Sequence, residues 1–117
     1  MNPEELKGRT TDFALKIIEF VQSLPKNPIC AVIGNQLFRA GTSVGANYRA
    51  ACKAPSKADF ISKITIVEEE ADETQYWLEL LARSRLVGEE RISDLMKEAR
   101  ELTAIFTASG KTAKRNR

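Results

Sequence analysis

Asn2-Pro3, Asn27-Pro28, Ala54-Pro55-Ser56 and Gly88 punctuate this 117-residue chain into four segments, and each segment carries one apolar seam at helical spacing. An asparagine before a proline is a helix start. The side-chain oxygen accepts a hydrogen bond from a first-turn amide, and the proline ring fixes the φ that the first turn needs. Glu4 and Glu5 follow Pro3 at the end where the helix dipole favours acid. Leu6, Thr10, Phe13, Ile17, Phe20 and Leu24 then alternate steps of four and three, and Pro25 stops the run.

The later segments repeat the pattern. Ile33, Leu37, Ala40, Val44, Asn47 and Ala51 form the second seam. Beside it runs a stripe of Gly34, Phe38, Gly41, Gly45, Tyr48 and Cys52. Each interior glycine costs about 1 kcal/mol against alanine. Three on one stripe either admit a close neighbour or fray the helix. Ser56 with Asp59 three residues later resembles a capping box with aspartate in place of glutamate. Phe60, Ile64, Val67, Ala71, Thr74, Leu78 and Leu81 carry the third seam, and the spacing predicts a helix to about Val87. After Gly88 the fourth seam is Ile92, Leu95, Ala99, Leu102 and Phe106, with Gly110 expected to end it. Short connections make sequential helices antiparallel neighbours. The expected fold is all-α, an antiparallel up-down-up-down four-helix bundle over residues 1–110, with 111–117 as a basic flexible tail.

Composition narrows the function. A chain this short closes one core. Its apolar share of 43% includes no run near the roughly 18–20 residues that span a bilayer. Met-Asn-Pro-Glu-Glu lacks a signal peptide's order of charge and apolar residues, so the expected compartment is the cytoplasm, with no membrane partner. There is no histidine. Cys30 and Cys52, on one helix, lie roughly 33 Å apart, beyond the reach of a disulfide. They read as small buried or half-buried thiols, and no cluster suits zinc. Ser43, Ser62 and Ser84 have neither a histidine base nor a Ser-x-x-Lys motif. Composition leaves acid–base chemistry by Asp or Glu open, but an acidic run is far more often a solvated or ion-paired helix face, so no catalytic residue, cofactor or metal is expected.

Polar residues inside the seams need partners. Folding back about Pro55-Ser56 puts residue 39 level with residue 72, so Arg39 is expected to pair with a carboxylate of Glu69, Glu70 or Glu73. Asn47 is expected to bond to backbone or a neighbouring side chain. A second stripe on helix 3, with Ile66, Trp77 and Leu80, gives that helix more apolar width than a bundle core uses. These three are the expected oligomer interface.

Charge is uneven although the net value is only +2. No acid lies between Glu19 and Asp59 or after Glu101. Arg49, Lys53 and Lys57 recur every four residues, and the terminus adds Lys111, Lys114, Arg115 and Arg117. These seven cations are the candidate nucleic-acid-binding residues, for phosphate contact without base reading. The alternative is that they only solubilise an exposed face and a frayed end.

The segments from Gln36 to Ala51, with Arg39, Ser43, Val44 and Asn47, and from Ile66 to Leu81, with its acidic run, resemble the bacterial four helix bundle protein family, also called the 23S ribosomal RNA intervening-sequence protein family. The likeness covers roughly residues 10–105. It implies a four-helix bundle, a cyclic homopentamer and no known catalytic activity. The accessory protein of diversity-generating retroelements is similar, and there a basic pentamer surface works with a reverse transcriptase and nucleic acid. One departure is that Ala50 and Ala51 stand where many members have Glu-Gly, which removes an acid from helix 2. The expected partners are further copies of the chain, RNA or DNA, and, on the alternative reading, a partner protein for which the chain is scaffold or accessory subunit.

Overall fold

The computed structural model describes residues 1–116. It contains α1 (Pro3–Gln22), α2 (Pro28–Cys52), α3 (Lys57–Arg83) and α4 (Glu89–Arg115), and no strand among the described residues. The helices run up, down, up and down in a bundle of 47 × 21 × 19 Å. Each packs on the next in sequence, while α1 and α4 approach each other over only a short stretch.

The starts form as their residues dictate. Asn2 Oδ1 accepts from the Glu5 amide at 2.8 Å, and Asn27 Oδ1 from the Cys30 amide at 2.9 Å. Ser56 Oγ accepts from the Asp59 amide at 3.1 Å and donates to the Asp59 carboxylate at 2.8 Å. The aspartate is one methylene too short for a true capping box, so it holds the capping hydroxyl.

Three ends differ from expectation. The α1 helix stops at Gln22, because the Ser23 and Leu24 amides turn back to the Phe20 and Val21 carbonyls. The α3 helix stops at Arg83, four residues short of Val87, and Arg85 takes a left-handed φ of 62°. The α4 helix does not end at Gly110 but continues to Arg115. Gly110 is buried with ordinary helical φ, and a Cβ there would lie 3.5 Å from Ile64 Cγ2. Its small size serves the α3 contact rather than a helix stop.

The core is the union of the four seams. Phe13, Ile17, Leu37, Val44, Ile64, Val67, Leu78, Leu81, Leu102 and Phe106 are all essentially inaccessible. Each such side chain contributes about 1.5–3 kcal/mol. On α2 the buried face takes members of both expected stripes: Leu37, Ala40, Val44 and Ala51 with Gly34, Gly41, Gly45 and Tyr48. The glycines meet α1 side chains. A Cβ at Gly41 would lie 2.9 Å from Ile17 Cγ1, and one at Gly45 would lie 3.1 Å from Thr10 Oγ1. Close packing, not fraying, accounts for the stripe. Thr10 itself is buried and donates to the Leu6 carbonyl at 2.9 Å.

Candidate nucleic-acid interface

Up-down topology decides where the cations go. The C-terminal ends of α2 and α4 and the N-terminal ends of α1 and α3 share one end of the bundle. Arg49 sits in the last turn of α2, Lys53 caps it, Lys57 opens α3, and Lys111, Lys114 and Arg115 close α4. All six are exposed. Lys57 Nζ donates to the Asn116 carbonyl and so ties the α3 start to the α4 end. Lys111, Lys114 and Arg115 together line one shallow depression. Arg117 lies outside the described residues.

Arg49, Lys53 and Lys57 do not form the single strip that a four-residue period suggests. The helix breaks after Cys52, and Lys57 belongs to α3. The cations instead come from three segments and are distributed over the end. Part of their role is local, because cations beside the C-termini of α2 and α4 complement the negative ends of both dipoles. Three exposed acids, Glu4, Glu5 and Asp59, share this end and keep their charge. Glu4 pairs with Lys7 at 3.2 Å, and Asp59 accepts from Ser56.

The interior beneath this end is aromatic. Tyr48 packs against Phe106 with ring centroids 5.3 Å apart and planes tilted by 47°. Burial, with a hydrogen bond to Cys52, pushes the Tyr48 phenol well above its ordinary range. Cys52 is exposed, not half-buried, because it lies at the edge of the buried arc of α2; Cys30 is buried.

The second polar constellation is on the α2–α3 face. Arg39 Nη1 donates to Glu70 at 2.9 Å and Nη2 to Glu73, which also accepts from Trp77 Nε1 at 3.0 Å. The carboxylates, Glu73 first, raise the Arg39 pKa further, so its charge is fixed. Glu69 is exposed and is not one of Arg39's partners. Arg39 is itself half-exposed at 50%. Asn47 Nδ2 donates to the Ser43 carbonyl at 2.9 Å. Around this cluster lie Ile66, exposed, and Trp77 and Leu80, half-buried, with exposed Ile29 and Val32 on α2, while Tyr76 meets Trp77 edge-on and faces Met96 and Arg100 of α4.

A third cluster has no local signal in the sequence. Arg9 on α1 grips Glu98 on α4 through Nε and Nη2, both at 2.7 Å, and reaches Glu101 at 2.8 Å. Among the described residues no group of acidic and thiol side chains has the arrangement of a metal site. Nor is any described helix long and apolar enough to cross a membrane.

Residues 5–108 match the model of a family described as 23S rRNA-intervening sequence protein. The crystal structure of a protein of unknown function from the S23 ribosomal protein family of Bacteroides thetaiotaomicron is similar, with a TM-score of 0.87 and 35% identity. The likeness covers 95% of this chain and 99% of that one. Among curated proteins none matches.

Proposed function

The chain belongs to the 23S rRNA-intervening sequence protein family, and we propose that it is a non-catalytic, cytoplasmic bundle protein that binds nucleic-acid phosphates through its basic end. One observation carries this reading: six exposed cations, drawn from three separate segments, share that end and outnumber its three exposed acids, Glu4, Glu5 and Asp59. Each cation that neutralises a phosphate releases condensed counterions, and binding of that kind is tolerant of sequence. Self-association strengthens it, because several weak sites on one assembly act at high effective concentration. The apolar surface around Ile66, Trp77 and Leu80 supports a homo-oligomer, and the pentamer expected from the family likeness is the assembly we favour.

Retention of mixed RNA and DNA by the purified protein across a salt series is the test. The wild type should bind at low salt, and log affinity should fall linearly with log salt. Charge reversal of Arg49 and Lys53 should weaken all sequences about equally, since phosphate contacts carry no sequence information. No retention at low salt would sink the reading.

A second reading rests on the α2–α3 face. Exposed Ile29, Val32 and Ile66 beside the Arg39 cluster offer a surface to a partner enzyme, with the chain as scaffold or accessory subunit and the cations as solubilising groups only. It stands if the oligomer forms and nucleic acid is not retained.

A further inference from the structure

We infer that the ligand of the basic end is a paired, double-stranded nucleic acid rather than a single strand. This rests on the phosphate-binding reading above and specifies the structure of the bound backbone. Three features of the end carry it.

The first concerns stacking. Proteins that hold single strands combine a cationic groove with aromatic faces on which bases stack, each worth about 1–3 kcal/mol. At this end two of the three aromatic rings are turned inward. Tyr48 and Phe106 are buried against each other, and Phe60 is half-buried against the core. The exposed aromatics, Phe38 and Tyr76, lie along the flanks of α2 and α3, away from Lys53 and Lys57 in the helical register. Among the described residues that surround the cations, unpaired bases find no fully exposed ring, only the uncovered part of Phe60.

The second is breadth. The bundle is 21 × 19 Å in cross-section, and its end brings cations from α2, α3 and α4 onto one blunt surface. A duplex groove is about 6–12 Å wide between its bordering strands, so such a surface reaches phosphates on both. A single strand follows one line and meets only part of it.

The third is charge density. Duplex DNA places one charge per roughly 1.7 Å of axis, and neutralising Z phosphates gives a salt slope near −0.9Z against about −0.7Z for a single strand. For about five contacts the slopes differ by roughly one unit. With duplex and single strand set equal at about 1 M salt, a site built from charge alone then favours the duplex by on the order of tenfold at about 50 mM salt.

The experiment is fluorescence anisotropy with one labelled mixed 20-mer sequence presented as single-stranded DNA, duplex DNA and duplex RNA. Each is titrated with wild type and with the Lys111→Glu/Lys114→Glu variant at several salt concentrations. Both duplexes should bind about tenfold more tightly than the single strand at low salt, with the steeper slope. The variant, whose fold is checked by circular dichroism, should flatten the duplex slope by about two units. Equal or tighter binding of the single strand would overturn the duplex assignment while leaving phosphate binding intact. An unchanged slope in the folded variant would overturn the assignment to this end. No binding of any form would overturn the underlying reading.

Discussion

Arg9 and Glu98 hold each other across the α1–α4 seam by two hydrogen bonds of 2.7 Å, although 89 positions separate them in the chain. Both side chains are largely shielded, with 22% and 26% exposure. Because α1 and α4 approach each other over so little of their length, this forked ion pair is the principal polar tie that closes the bundle.

Removing the tie should cost stability. Arg9→Met is expected to lower unfolding free energy by about 1–3 kcal/mol, more than a typical surface pair because it is bidentate and shielded. The Arg9→Met/Glu98→Gln double variant should lose less than the sum of the singles. Urea denaturation of the four proteins checks both, and strict additivity would show that the pair is not coupled.

Acid should weaken the same pair. The hydrogen bond from Arg9 holds the Glu98 carboxyl below its ordinary value, against the opposing effect of burial. A depressed carboxylate pKa gives stability that is full above the unfolded value, about 4.3, and is lost as pH falls through the folded value. The gap in urea midpoint between wild type and Glu98→Gln should therefore narrow from neutral pH toward pH of about 3. A gap independent of pH would contradict this.

Two glycines should respond oppositely to alanine. At Gly41 a Cβ meets Cγ1, Cγ2 and Cβ of Ile17, a stiff side chain with no exposure, at 2.9–3.3 Å. Gly41→Ala is expected to destabilise by about 1–3 kcal/mol through overpacking. Gly8 lies within α1, exposed, with nothing within 4 Å of a new Cβ. Gly8→Ala should stabilise by about 0.5–1 kcal/mol. Thermal melts of the pair give the comparison, and shifts of the same sign would refute it.

Arg39→Ala separates monomer stability from assembly. Half-exposed ion pairs contribute about 0–1 kcal/mol, so the dilute chain should melt almost as the wild type does. If the surrounding face is the subunit interface, sedimentation should show weaker self-association, since Glu70 and Glu73 would be covered without their cation. Unchanged assembly would place the interface elsewhere.

Arg85 holds a left-handed conformation that costs a residue with a Cβ roughly 1–2 kcal/mol. Arg85→Gly should raise the urea midpoint, corresponding to about 1 kcal/mol. A lowered midpoint would mean that the Arg85 side chain offsets its own strain.

How much of this was legible follows from the range of each signal. Helix starts at Asn2, Asn27 and Ser56 are local chemistry and were readable residue by residue. The Arg39 pair was readable because a tight hairpin fixes the register of α2 against α3, which narrowed its partners to three carboxylates, of which the structure uses two. Gly110 misled because a glycine near a helix end signals a stop, whereas here its missing side chain admits Ile64. Arg9 was silent because nothing local marks a partner 89 positions away. The cations were legible as names, but only the alternation of helix direction shows that they share an end.

That alternation also bears on how the protein is handled. With an even number of antiparallel helices, Met1 and Asn116 both lie at the end of the bundle that carries Lys53 and Lys57. An affinity tag or fluorophore joined ahead of Met1 starts at the cationic end, and a polyhistidine tag adds protonatable groups of its own there. Labels attached at the opposite turns, 25–27 or 84–88, leave that surface open, so their placement decides whether a binding assay reads the protein or its tag.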